Sequence, residues 1–323
     1  MSCKSLDAPS NPPRPIWPHQ VPVYEKLLAL ARTCFGAQRN TLPVSLRTSP
    51  LLLGPSSTGK SFLAENAATT LEAGFLPVAL SNWIILGSRA QGSQTTWVSI
   101  VDFLRRNNNS YAVIFCDEFE KAISHQHLDT WSSHLRVEVF QLLDRKIPHN
   151  LKDSEDNVIG PAIHAAAQDM LVNRTFIVAA ATFQDLWENR TKSRIGFGSQ
   201  SNDTSSPSPD ELCQVLPREI LTRFRNDFLV LPQLTREDYV TMLEHTAPRV
   251  PSYLRATFLR LGYQKIPAAM AMRQGCRYVE DLMTDTLLAE RACLREPAPP
   301  VDPLELPAAQ EPARPRSEPD VRL

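Results

Sequence analysis

The chain has 323 residues, with 34 basic and 35 acidic side chains and a formal net charge of −1. That length allows one large domain or two moderate ones with a real core, and near-neutrality gives no bulk pull toward nucleic acid or an anionic membrane. The hydrophobic fraction is 42% and the charged fraction 21%, as in soluble globular chains; no apolar run approaches the ~20 residues of a bilayer span.

Residues 1–14 hold three prolines and little apolar content and read as a flexible arm, with no apolar signal core. From Val21 to Ala37 the apolar residues Val23, Leu27, Leu28, Leu30, Ala31 and Phe35 recur at helical spacing. Pro50-Leu51-Leu52-Leu53 predicts a short buried strand, and Phe62 to Ala73 a helix. Between them stands Gly54-Pro55-Ser56-Ser57-Thr58-Gly59-Lys60-Ser61, which matches G-x-x-x-x-G-K-[ST] at every fixed position. The chemistry requires these types. The two glycines allow a tight turn whose N–H groups face phosphates. Lys60 sets a point charge against the β- and γ-phosphates, the Ser61 hydroxyl completes a Mg²⁺ shell, and the helix that follows, through Phe62, presents its positive end to the anion. The segment predicts a site for ATP with Mg²⁺.

Leu76 to Leu80 reads as a second strand, Trp97 to Leu104 as a helix and Tyr111 to Cys116 as a buried strand. That strand ends on Asp117-Glu118. A carboxylate pair there lies at the carboxyl edge of a parallel sheet, beside the phosphate loop. Asp117 is placed to hold Mg²⁺ through water, and Glu118 to polarise the attacking water. Trp131 to Leu143 is an amphipathic helix, Thr175 to Ala181 a further buried strand, and residues 198–211 a loop rich in Ser, Asp and Pro. Ile220 to Phe224 predicts a helix and Asp227 to Leu231 a last strand. Strands alternating with helices predict an α/β fold, a parallel sheet covered by helices on both faces, over residues 15–235. From 236 to 295 the apolar spacing is helical only and predicts a small all-α domain. Residues 296–323 include eight prolines and read as a disordered tail.

The cysteines Cys3, Cys34, Cys116, Cys213, Cys276 and Cys293 form no CxxC pair, so their spacing suggests neither zinc nor a disulfide framework. Reduced thiols in a cytoplasm fit them best, and Cys116 reads as a small buried hydrophobe.

The order of these elements resembles the AAA+ ATPases, and within them the ClpX/HslU-like unfoldase branch. The resemblance implies a P-loop ATPase fold, ATP hydrolysis at subunit interfaces and assembly into a ring, as a hexamer. It implies that Thr182, after the strand Thr175 to Ala181, is the polar sensor. Ile195-Gly196-Phe197 is similar to a loop that docks on a peptidase ring. Leu216-Pro217-Arg218-Glu219-Ile220-Leu221-Thr222-Arg223-Phe224 resembles the segment carrying the arginine finger. By that match the finger is Arg223, with Arg218 and Arg225 near enough to take its place. Gly275-Cys276-Arg277 resembles the start of the second sensor helix, so Arg277 would meet the γ-phosphate. Ile16-Trp17 sits where the family packs apolar residues around adenine. The chain departs from the branch near Ser88 to Ser93, where Ala90 stands in place of the peptide-gripping aromatic, unless a shifted alignment supplies Trp83 or Trp97 from either side, and no zinc domain is expected. The implied function is remodelling of a macromolecular partner, protein in a Clp-like way, or a nucleotide switch in DNA transactions such as transposition.

Overall fold

The computed structural model describes residues 15–36, 42–44, 46–87, 93–122, 130–153, 155, 157–184, 187, 210–212, 216, 218–225 and 228–293. Five strands form one sheet: β1 (Leu51–Leu53), β2 (Gly74–Ala79), β3 (Ala112–Asp117), β4 (Thr175–Ala181) and β5 (Leu229–Val230). Their order is β2-β3-β4-β1-β5 and every pairing is parallel. Parallel pairing needs long crossovers, and helices supply them: after α1 (Val21–Phe35), which precedes the first strand, come α2 (Lys60–Thr70), α3 (Thr96–Arg106), α4 (Thr130–Leu143) and α5 (Pro161–Asn173) between strands. This is the α/β architecture expected from the alternation of elements.

Both faces of the sheet are covered, so the strands need apolar residues at consecutive positions. In β4 all seven residues are buried. Phe176, Val178 and Ala180 pack on one face with α1 and α2 residues such as Leu27, Ala31, Leu63 and Ala67. Ile177, Ala179 and Ala181 point the other way, into a core with Trp97 and Leu104 of α3, Leu135 and Val139 of α4 and Met170 of α5. That alternation is the period-two geometry of a strand. Glu138 of α4 is buried in the second core, where its carboxylate accepts from Trp83 Nε1 at 3.0 Å and the Leu86 N–H at 2.7 Å. Burial pushes its pKa up against those two bonds.

Beyond a short helix, α6 (Arg218–Leu221), and β5, the described chain is helical: α7 (Arg236–Thr246), α8 (Ser252–Ala271) and α9 (Arg277–Cys293). Thr235 starts α7 with a capping box, its hydroxyl accepting from the Asp238 N–H while Asp238 reaches back to the Thr235 N–H. These helices share a third core of Tyr239, Met242, Phe258, Tyr278 and Leu282, which Trp17 joins. No helix among the described residues is long and apolar enough to cross a membrane.

β4 has the limits its apolar run predicts. β2 begins earlier than expected, at Gly74, and β5 is only two residues long. α5, PAIHAAAQDMLVN, was not among the expected helices: its alanines and first-position proline suit a helix, but its large apolar residues form no clear stripe, and only Ala167, Met170 and Leu171 are buried. The expected arm and tail, the serine-rich loop apart from Asp210 and Glu211, which are helical, the Ala90 stretch apart from Ser93, and Ile195-Gly196-Phe197 lie outside the described residues, as does Pro217.

Candidate functional site

The site begins where β1 runs out of the sheet between β4 and β5. The Gly54 N–H donates to the Ala181 carbonyl at 3.4 Å, and a Cβ on Gly54 would come within 2.6 Å of the Leu231 oxygen. The chain then turns with Ser57 at φ +63 and Gly59 at φ +93, the second a left-handed value that glycine adopts without steric cost. Gly59 is the N-cap of α2. A helix leaves its first N–H groups without partners in the helix, so the start of α2 offers donors and a positive dipole end to an anion. The Thr58 hydroxyl ties the loop to itself by donating to the Pro55 carbonyl at 2.9 Å.

Lys60 lies along the loop, its Nζ donating to the carbonyls of Gly54 at 2.7 Å and Pro55 at 2.9 Å. Burial pulls the ammonium down to about 8, although the Asp117 and Glu120 carboxylates oppose that. The charge is therefore held in a poorly solvated place, where an added anion has most to offer it.

β3 delivers the carboxylates. Asp117 Oδ2 accepts from the Ser61 hydroxyl at 2.9 Å, and Oδ1 accepts from the Glu118 N–H at 2.9 Å. Glu118 has φ +55, which costs a non-glycine residue on the order of 1 kcal/mol. Its Oε2 is buried without a hydrogen-bond partner. Ser61 and Asp117 present the hard oxygen donors that suit Mg²⁺. One residue not among the expected site residues enters here. Glu120 Oε2 accepts from the Thr182 N–H at 3.2 Å and so fixes the end of β4 beside β3; its only signal was its place in the acidic run after the strand.

These groups open onto a cleft of about 470 Å³. Of the expected site residues, Ser56, Ser57, Gly59, Lys60, Ser61, Phe62, Asp117, Glu118, Thr182 and Arg277 line it. Gly54, Pro55 and Thr58 lie in the loop behind. Arg277 is exposed at the first turn of α9, which closes one side of the cleft. Ile16 packs instead against the α1/α2 face of the sheet. Its neighbour Trp17 is the residue that reaches the cleft. The Trp17 ring is stacked on His19 at 6.4 Å and tilted toward Phe62 at 6.4 Å. Trp17 Nε1 and both ring nitrogens of His19 are buried without hydrogen-bond partners, and burial lowers the His19 pKa despite Asp238.

Arg223 is elsewhere. Its guanidinium pairs with Asp144 at 3.0 Å, gives Nη1 to the Glu219 carbonyl at 2.7 Å, and lies 4.0 Å over the Phe140 ring. It does not line this chain's cleft. Arg218 and Arg225 are exposed nearby.

No curated protein matches the chain. Residues 50–197, a little under half of it, match the model of the ATPase family associated with various cellular activities (AAA). The P-loop at the end of β1, the acidic pair at the end of β3 and the five-stranded parallel sheet beneath them fit a P-loop AAA+ fold, to which this part of the chain is similar.

Proposed function

We propose that the chain binds ATP with Mg²⁺ in this cleft and hydrolyses it to ADP and phosphate. The observation that carries the reading is the meeting of Ser61 and Asp117 at 2.9 Å, beside an unpaired Glu118 oxygen and the buried Lys60 ammonium. On this reading the N–H groups from Ser57 to Ser61 and the Lys60 charge hold the phosphates. Ser61 and Asp117 hold Mg²⁺, which when bound neutralises developing phosphate charge. Glu118 orients the attacking water and takes up its proton, Thr182 contacts the reacting phosphate, and Arg277 contacts the γ-phosphate from the α9 side. Trp17, in place of the expected Ile16, flanks the base, with residues 15–235 as the nucleotide-binding domain and 236–295 as a helical lid.

The finer reading adds a ring, hexameric as in the ClpX/HslU-like branch, with Arg223 acting on the ATP of a neighbour. Its support is the placing of Arg223 away from its own cleft. The work done is remodelling of a macromolecular partner, protein if the branch resemblance extends that far. A switch in DNA transactions is the second reading, favoured by Ala90 where the branch has an aromatic. The test is the ATPase rate alone, with unfolded protein and with DNA. Stimulation by unfolded protein is expected from the first reading and by DNA from the second. Undiminished steady-state hydrolysis in Glu118→Gln would overturn the catalytic assignment itself.

A further inference from the structure

We propose that Gln20 is a positioning residue for phosphate binding, acting through the backbone of the loop; this rests on the ATP reading above. The Gln20 side chain is fully buried. Its Oε1 accepts from the Trp17 N–H at 3.3 Å, and its Nε2 donates to the Thr58 carbonyl at 3.0 Å and to Cys276 Sγ at 3.4 Å. One amide thus joins the segment before α1, the phosphate loop and the start of α9.

The bond to Thr58 has a directional consequence. In a trans peptide the C=O and the next N–H point in opposite directions. A donor that grips the Thr58 carbonyl from behind therefore turns the Gly59 N–H away from Gln20. Gly59 lies between Gln20 and the cleft, since a Cβ on it would come within 2.3 Å of Gln20 Nε2 while Gly59 itself lines the cleft. The preceding peptide is gripped in the same way. The Cys276 N–H donates to the Ser57 carbonyl at 2.7 Å, which turns the Thr58 N–H from α9. Two consecutive loop peptides are thus held by flanking segments before any anion arrives, and both grips run through Gln20 or its partner Cys276. Preorganised donors of this kind bind charge without having to reorient. The same wiring couples α9 to the loop, because a shift of Cys276 disturbs both grips.

The test is Gln20→Met, which keeps the volume and removes the donor. Affinities for fluorescent ADP, ATP and AMP are measured with Mg²⁺, alongside thermal unfolding of the nucleotide-free chain. The expectation is that ADP and ATP bind about tenfold more weakly, the scale of one lost charge-assisted hydrogen bond, while AMP affinity changes by less than about twofold. Equal loss for all three nucleotides, or unchanged affinity for all three, would overturn the proposal. Gln20→Asn, which keeps an amide but shortens its reach, covers the case in which Met misfolds: it is expected to show the same selective loss, and an equal loss across the three nucleotides would again overturn it. Lys60→Ala separates the two readings. If it binds ADP as tightly as the unaltered chain, the phosphate-loop assignment fails; if it loses ADP while Gln20→Met does not, only the Gln20 proposal fails.

Discussion

At the scale of single residues, Lys60 ties stability and binding to pH with opposite signs. Below about pH 8 the ammonium is charged in both folded and unfolded chains, and folding carries the whole cost of burying it. Between about 8 and the ordinary lysine value of 10.5 the folded chain has released a proton that the unfolded chain still holds. Stability of the nucleotide-free chain contributed by this group therefore rises with pH across that window. Unfolding midpoints in a buffer series are expected to show the rise, and Lys60→Met to lack it. Bound phosphate lifts the same pKa, so nucleotide binding just above pH 8 takes up protons, and affinity falls by up to about tenfold per pH unit there. Calorimetry in two buffers of different ionisation heat measures the uptake; identical heats would refute it. Glu118 gives a second prediction. Its backbone is held at φ +55 by Asp117, and its Oε2 has no partner, an arrangement that aims a carboxylate without occupying it. Glu118→Gln is expected to bind ATP with affinity within about twofold of the original and to lower turnover by about a hundredfold or more, as removal of a general base does. Binding and single-turnover assays on the same preparation separate the two effects.

At the scale of elements, the contact between α9 and the phosphate loop is the joint on which nucleotide sensing would turn. Gly275 makes it possible. It has φ +61, and a Cβ there would meet the Ser57 carbonyl oxygen at 2.4 Å, a backbone atom that cannot swing aside. The Tyr239 hydroxyl accepts from the Gly275 N–H at 3.0 Å, so the turn is held from the α7 side too. Gly275→Ala adds left-handed strain of about 1 kcal/mol to a backbone clash. It is expected to lower the unfolding midpoint by several degrees and to weaken nucleotide binding about tenfold through loss of the Cys276–Ser57 bond. Full retention of ADP affinity would show that α9 is not coupled to the loop. Much of this architecture was legible in the sequence. Buried parallel strands must be apolar on both faces, so Ala112–Cys116 and Thr175–Ala181 stand out as continuous runs. The phosphate loop is a contiguous motif because its chemistry is done by consecutive backbone groups. Gln20, Glu120 and the Gly275 approach were not legible as site features, because each works through a contact made only after folding. Gln20 meets Cys276 across 256 positions, and no local spacing signals that. Ile16 and Trp17 show the same limit at one-residue resolution: an apolar pair was visible, but which member faced the sheet and which the cleft depended on the turn at Pro18–Gln20.

At the scale of the whole molecule, the question is whether one chain suffices for turnover. Arg223 gives the argument that it does not. Its guanidinium is occupied by Asp144, Glu219 and the Phe140 ring, away from the cleft of its own chain. The Asp144 pair is partly exposed on both sides, and such pairs contribute only about 0.2–1 kcal/mol. That is far less than the stabilisation of about 4 kcal/mol or more that an arginine finger gives a transferring phosphoryl group. On the proposed ring reading, a neighbour's ATP would therefore draw Arg223 off Asp144 at small cost. If it does, the complete site consists of Glu118 from one subunit and Arg223 from the next, a head-to-tail arrangement that closes into a ring. Glu118→Gln and Arg223→Ala should each be inactive alone, for different reasons and in different halves of the interface. Mixed in equal amounts and allowed to reassemble, they should recover hydrolysis, because an Arg223→Ala subunit followed by a Glu118→Gln subunit holds one intact pair of groups. Random assembly makes roughly a quarter of the interfaces intact, so recovery should approach that fraction of the original rate if sites act independently. Arg218→Ala and Arg225→Ala, tested the same way, show which arginine crosses the interface. A mixture that stays inactive for all three, in a preparation shown by sedimentation to contain mixed assemblies, would remove the arginine finger from the mechanism and leave each cleft to act alone.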